Sequence, residues 1–295
     1  MSASHSARAD LQLIGVTLLA AAGWLFSHEA LQGIAPLWFI GIRFSLAGLI
    51  LALVAWPTMC KLNRTQWLAS LKVGAWFAAG MLLWIMGLFH TKNVGEGAFI
   101  TSMGVVLVPL VGWLAWQEKP SPQVWGSAAI AISGLACLML GHGFAVEASQ
   151  WFFASAAVLF AIYFSLNNRV VSHVPSVALT AIALGAVGVA GLLASAILED
   201  WSTPISSGTW GWIIASIILS TCMRFWLQTA SQKLTSASHA ALILTLEPLW
   251  TAVLSAYWLG ERMSGVQLIG CGLIFSALVF SRLPIWQRPS STLTS

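Results

Sequence analysis

Long apolar runs, each closed by a short cluster of turn-forming or charged residues, succeed one another along the whole chain. They extend from about Leu11 to Ser27, Pro36 to Pro57, Trp67 to Phe89, Gly97 to Trp116 and Gln123 to Gly141. The second half continues with Trp151 to Val171, Ser176 to Leu198, Thr209 to Gln232, Ser238 to Gly260 and Gly265 to Leu283. A bilayer core of ~30 Å is crossed by a helix of ~20 apolar residues, so this spacing predicts ten transmembrane helices. The breaks "KLNR", "QEKPSP", "EDWSTP" and "GERMS" carry the turn and charge signals expected between spans. Arg8 precedes the first run and Ala20, Ala21 and Ala22 lie within it, as in a secretory leader. Every later run is equally apolar and the first has a counterpart in the second half, so it reads as a span.

Composition strengthens the reading. The 295 residues are 58% hydrophobic and 7% charged, against about 25% charged in an ordinary soluble domain. With the N-terminus inside, Arg8, Lys61, Arg64, Lys72, Lys119, Arg169, Lys233, Arg282 and Arg288 fall on the cytoplasmic side, and Lys92 and Arg262 outside. The positive-inside rule then places both termini in the cytoplasm of a bacterial-type inner membrane. The net charge of +4 is scattered over loops, which argues against a nucleic-acid partner. Cys60, Cys137, Cys222 and Cys271 show neither metal spacing nor a disulfide framework, so neither metal nor cofactor is expected.

Placing Gly95 to Glu118 above Ser238 to Glu261 matches apolar positions without a gap and superposes the two glutamates. The chain therefore reads as a duplication, residues 1–146 and 147–295. Five spans per copy is an odd number, so the second copy enters the membrane inverted, with a pseudo-two-fold axis in the membrane plane.

The costliest residues lie inside spans. A charge at the centre of a spanning helix costs ~2.5–3.5 kcal/mol on insertion scales, and Arg43, Arg224 and Glu247 each incur it. Glu247 is followed by Pro248, which frees a carbonyl one turn earlier and predicts a kinked helix against protein or a wet cavity. In the repeat alignment Arg224 opposes Met81, Glu247 opposes Gly104 and Arg43 opposes Ile182, so each charge breaks the symmetry. A guanidinium holds a carboxylate in bidentate fashion. The three residues are read as substrate contacts, with Glu247 also a candidate for proton coupling; a buried structural ion pair for Glu247 and a structural clamp for Arg43 stay open. Of 17 tryptophans, most mark helix ends. Trp84, Trp226 and Trp250 sit deeper, where a ring can stack on a substrate or simply pack. His28, at the end of the first span beside Glu29, Asn167 and Asn168 at the end of the sixth, and Gln228 with Gln232 on the eighth are candidate gates or interhelical bonds. Gly185, Gly188 and Gly191 read as close helix packing.

Trp24 in the first span, Arg43-Phe44 in the second, "TSASHAALILTLEPLW", "WLGE" closing at Glu261 and "QLIGCGLI" opening the last span resemble the EamA-type group of the drug/metabolite transporter superfamily. The first copy departs from the pattern at Gly104-Val105 and at "WQE". The resemblance implies a secondary transporter with a cavity between spans one to four and six to nine, spans five and ten packing at the flanks. It adds Trp24 to the candidate contacts, with Tyr163 its approximate counterpart in span six. No G-x-x-x-x-G-K-[ST] loop occurs, so a gradient would supply the energy. A membrane enzyme is disfavoured because "HEALQ" is not H-E-x-x-H and no G-x-S-x-G occurs. A channel would need filter loops or charge rings that are not recognisable. The expected function is a monomeric or homodimeric carrier of small organic metabolites, an exporter of amino acids or related zwitterions; import of a nucleoside, vitamin or similar heterocycle is the alternative.

Overall fold

A computed structural model describes residues 3–117, 122–140, 147–200, 204–225, 227 and 243–282. The described residues are helical, without strands: α1 Ala3–Ala30, α2 Pro36–Met59, α3 Arg64–His90, α4 Val94–Trp116 and α5 Pro122–Leu140. They continue with α6 Ala148–Val170, α7 Ser176–Leu198, α8 Ser207–Ile217, α9 Glu247–Trp258 and α10 Gly265–Arg282. Asp10–Ala30, α2, α3, α4, α6 and α7 are long and apolar enough to cross a membrane. Ser207–Met223 and Gly265–Ser281 are shorter apolar helices.

Helix starts follow local chemistry. Pro36 opens α2 where its missing N–H costs nothing. Asn63 and Gln66 form a capping box on α3, and Glu147 and Gln150 another on α6. Asn93 accepts from the Glu96 N–H at the start of α4, and Ser206 from the Thr209 N–H at the start of α8. α4 stops at Gln117, whose left-handed φ of 59° ends the helical run.

Two acids cap helices far from them in sequence. Glu199, just past α7, accepts from the N–H groups of Leu37 (2.8 Å) and Trp38 (2.9 Å) at the start of α2. Glu261, just past α9, accepts from Val94 (2.8 Å) and Gly95 (3.3 Å) at the start of α4. A helix N-terminus carries unpaired donors and partial positive charge, which a carboxylate meets on both counts.

α2 packs along α7, α5 along α10, α3 against α6 and α7, and α4 against α6 and α9; α1 lies against α8 and α9. The α2–α7 seam is built of glycines, as the spacing of Gly188 and Gly191 predicts. A methyl group on Gly191 would lie 2.8 Å from the Gly41 nitrogen, and one on Gly48 2.8 Å from the Gly185 nitrogen. Small residues let backbones approach where no hydrophobic effect drives association. The outer surfaces of these helices are apolar, with Leu46, Leu49, Ile50, Leu53 and Val54 of α2 exposed, as a lipid-facing surface requires.

α8 ends in a π-turn, Ile218–Met223, and α9 begins at Glu247 after the turn at Thr245 and Leu246. Both interruptions fall beside the charged residues.

Candidate functional site: an ion pair between two helix interruptions

Arg224 follows the π-turn directly, and Glu247 and Pro248 are the first two residues of α9. Pro248 cannot donate, so the helix starts afresh there, with the Trp250 N–H bonding back to the Leu246 carbonyl at 3.0 Å. The interruption places the Glu247 carboxylate at a helix N-terminus, where partial positive charge favours it. Arg224 Nη2 donates to Glu247 Oε2 at 3.1 Å, and Trp24 Nε1 donates to Glu247 Oε1 at 3.3 Å. Each member of the ion pair keeps about a quarter of its side chain exposed (29% and 26%). Arg224 Nε and Trp250 Nε1 are buried without a hydrogen-bond partner. One carboxylate is thus held by a cation and an indole, and the cation's Nε has nothing to donate to.

Arg43 is held differently. It is buried (6% exposed), and its three nitrogens donate to three hydroxyls: Nη1 to Ser27 (2.8 Å), Nη2 to Ser220 (3.0 Å) and Nε to Thr221 (3.1 Å). Each hydroxyl donates its own proton to a backbone carbonyl, Ser27 to Gly23 and both Ser220 and Thr221 to Ser216. The i to i−5 bond of Thr221 fits the π-turn, which brings two hydroxyls onto Arg43 together. The Phe39 and Phe44 rings lie 5.8 and 5.3 Å from its guanidinium carbon. Gly23 admits this contact, since a methyl group there would lie 2.6 Å from Ser220 Cβ.

The sequence-predicted residues separate into groups. Arg224, Glu247 and Trp24 meet directly. Trp84 sets its ring edge-on to Trp24 at 4.8 Å, so it backs the cluster; it is itself buried. Tyr163 stacks on Phe77 at 4.4 Å between ring centroids. Arg43 does not bond to Glu247. His28 stands four residues beyond Trp24 and keeps a buried, unpartnered Nδ1. Asn167 and Asn168 stand in the last turn of α6, the first half-buried and the second exposed. Trp226 and Gln228 lie outside the described residues.

A second polar cluster escaped the sequence reading. Glu96 in the first turn of α4 is buried (3% exposed), and its two carboxylate oxygens accept from Gln150 Nε2 of α6 (2.6 Å) and Gln267 Nε2 of α10 (2.9 Å). The amides cannot turn round. Gln150 Oε1 accepts from the Glu147 N–H (3.2 Å) and Gln267 Oε1 from the Ser264 N–H (2.8 Å), so each must present NH2 to Glu96. The pattern of a capping residue three before a glutamine, at Glu147-x-x-Gln150 and Ser264-x-x-Gln267, was the available signal. The same end of the bundle carries Lys92–Glu147 at 3.4 Å and a Trp258–Glu29 hydrogen bond at 3.0 Å. Two small voids lie away from Arg224. One of about 10 Å³ borders Glu96 and Gln150, and one of about 80 Å³ lies among Val105, Val108, Pro109, Val124 and Ser281.

This bundle of apolar helices, with a partly exposed ion pair at two helix breaks, belongs by its similarity to known proteins to the class of membrane transporters rather than enzymes. The chain belongs to the EamA-like transporter family, whose model matches residues 7–140 and again 149–283. It is 25% identical over 281 residues to an uncharacterized transporter of Archaeoglobus fulgidus, covering 94% of this chain and 86% of that protein. It is 28% identical over 210 residues to the uncharacterized transporter YcbK of Bacillus subtilis, covering 68% and 66%. A protein of known crystal structure superposes with a TM-score of 0.63 over 93% of this chain and 97% of the other; at 18% identity this shows a shared fold.

Proposed function

We propose that this transporter exports amino acids or related zwitterions, by alternating access between two inverted five-helix halves, residues 1–146 and 147–295. The observation that carries the substrate class is the Arg224–Glu247 pair with its unused donor edge. A zwitterion has the two groups that this edge lacks. Its carboxylate meets Arg224 Nε, a guanidinium being suited to two parallel bonds to a carboxylate, while its ammonium meets Glu247. The Trp24 ring, held against Trp84, closes one side.

The packing pattern supports the inverted, ten-span arrangement. Exchanging each helix with the one five places along the chain turns the α3–α6 contact into α8–α1 and α4–α6 into α9–α1, and returns α2–α7, α5–α10 and α4–α9 onto themselves. A two-fold axis between the halves would produce that exchange. The distribution of lysine and arginine supports cytoplasmic termini in a bacterial-type inner membrane. Glu247, paired with Arg224 and about a quarter exposed, is the proposed coupling residue.

The test is counterflow in proteoliposomes. Neutral L-amino acids should exchange saturably and nucleosides should not, and Arg224→Lys should weaken apparent binding by about 1–3 kcal/mol through loss of the bidentate geometry. Exchange of nucleosides with none of amino acids, or Arg224→Lys indistinguishable from wild type, would overturn this assignment.

A further inference from the structure

We propose that the preferred substrate carries a net negative charge, as an amino dicarboxylate does, because Arg43 is a second cation in the site that no carboxylate neutralises among the described residues. This rests on the zwitterion reading above and narrows it.

Arg224 and Glu247 cancel one another, and so do the two ends of a zwitterion. Arg43 is left over. Its three partners are neutral hydroxyls, each with its proton committed elsewhere, and the rings beside it offer only their quadrupoles. The other acids are engaged elsewhere: Glu29 with Trp258, Glu96 with two glutamines, Glu147 with Lys92, and Glu199 and Glu261 with helix starts, while Asp10 and Asp200 have interactions of their own. Glu118 lies outside the described residues.

Arg43 donates to Ser220 and Thr221, and Arg224 follows four and three residues later, directly after the same π-turn, so both cations are anchored to one short stretch of chain. Buried charge in a poorly polarisable surrounding needs compensation. The orphaned donors Arg224 Nε, in the pair itself, and Trp250 Nε1, three residues along α9 from Glu247, each call for an acceptor. A substrate with two carboxylates and one ammonium supplies the acceptor and brings the sum of charges to zero. Arg43 acts through its field, because its nitrogens are already engaged; it is a specificity-determining residue that need not touch the substrate.

Glutamate against glutamine, and aspartate against asparagine, compare nearly the same shape with and without the extra charge. In counterflow with wild-type proteoliposomes at limiting concentration, each acidic member should exchange about tenfold faster than its amide, the order of effect that one nearby unit charge has at an effective dielectric of about 20. Arg43→Gln should abolish that ratio, and Arg43→Lys, which keeps the charge, should preserve it. Amides exchanging as fast as the acids in wild type would overturn the inference while leaving the zwitterion carrier standing. Exchange of neither acids, amides nor any other amino acid would remove both. Should Arg43→Gln fail to reach the membrane, the wild-type ratio and Arg43→Lys decide; an unchanged ratio in a folded Arg43→Gln refutes the role given to Arg43.

Discussion

Replacing Glu96 by glutamine turns one of its two acceptors into a donor that faces the NH2 group of Gln150 or Gln267. Gln150 and Gln267 both present NH2 groups to Glu96, at 2.6 and 2.9 Å, because their oxygens are engaged by the N–H groups of Glu147 and Ser264. A glutamine in place of Glu96 satisfies one of them and meets the other donor to donor. Loss of one hydrogen bond to a charged group costs ~1.5–3 kcal/mol, and burial of Glu96 at 3% exposure leaves no water to relieve it. Combining Glu96→Gln with Gln150→Glu restores every match. The carboxylate introduced on α6 accepts from the Glu147 N–H and from the amide introduced on α4, whose oxygen in turn serves Gln267. Unfolding of the purified protein in mixed micelles, followed by tryptophan fluorescence, should show the single variant destabilised by ~1.5–3 kcal/mol and the double variant recovering most of the loss. A double variant no more stable than the single one would refute the donor–acceptor assignment.

Glu247→Gln should abolish flux driven by a pH difference across liposomes while sparing substrate exchange; equal pH-driven flux in both proteins would leave Glu247 a structural partner of Arg224. With the four native cysteines removed, Ser206→Cys and Gly143→Cys should react with an impermeant thiol reagent added outside intact cells and Arg64→Cys should not. Labelling of the Arg64→Cys variant would reverse the orientation. Gly191→Ala should destabilise the α2–α7 seam by ~1–3 kcal/mol, since the added methyl meets the Gly41 backbone at 2.8 Å; melting unchanged from wild type would show that the seam can part at no cost.

Much of this was legible in the chain. Apolar run length foretold α2, α3, α4, α6 and α7, and the isolation of Arg43, Arg224 and Glu247 among apolar residues marked them out, without saying which arginine Glu247 would meet. Pro248 foretold the break at Glu247. The setting of Arg43 was not legible, because Ser27, Ser220 and Thr221 are ordinary serines and threonines until a π-turn and the glycine at Gly23 bring them to one guanidinium across 177 residues of sequence. The Glu96 cluster was hidden for a similar reason. A local capping rule fixes each glutamine, and only the meeting of α4, α6 and α10 turns two capped helix starts into a carboxylate's binding site.

The borrowed helix caps bear on how the protein is made. Glu199 follows Leu37, one of the α2 donors it serves, by 162 positions, and Glu261 follows Val94 by 167. At ~5–20 residues per second of synthesis, roughly 8–33 s separate the arrival of each helix start from that of its carboxylate. During that interval the openings of α2 and α4 have only interfacial water to satisfy their N–H groups. The first half of the chain thus waits in the bilayer chemically incomplete, and a ribosome stalled between Leu198 and Glu199 would leave a nascent chain with its second helix still uncapped.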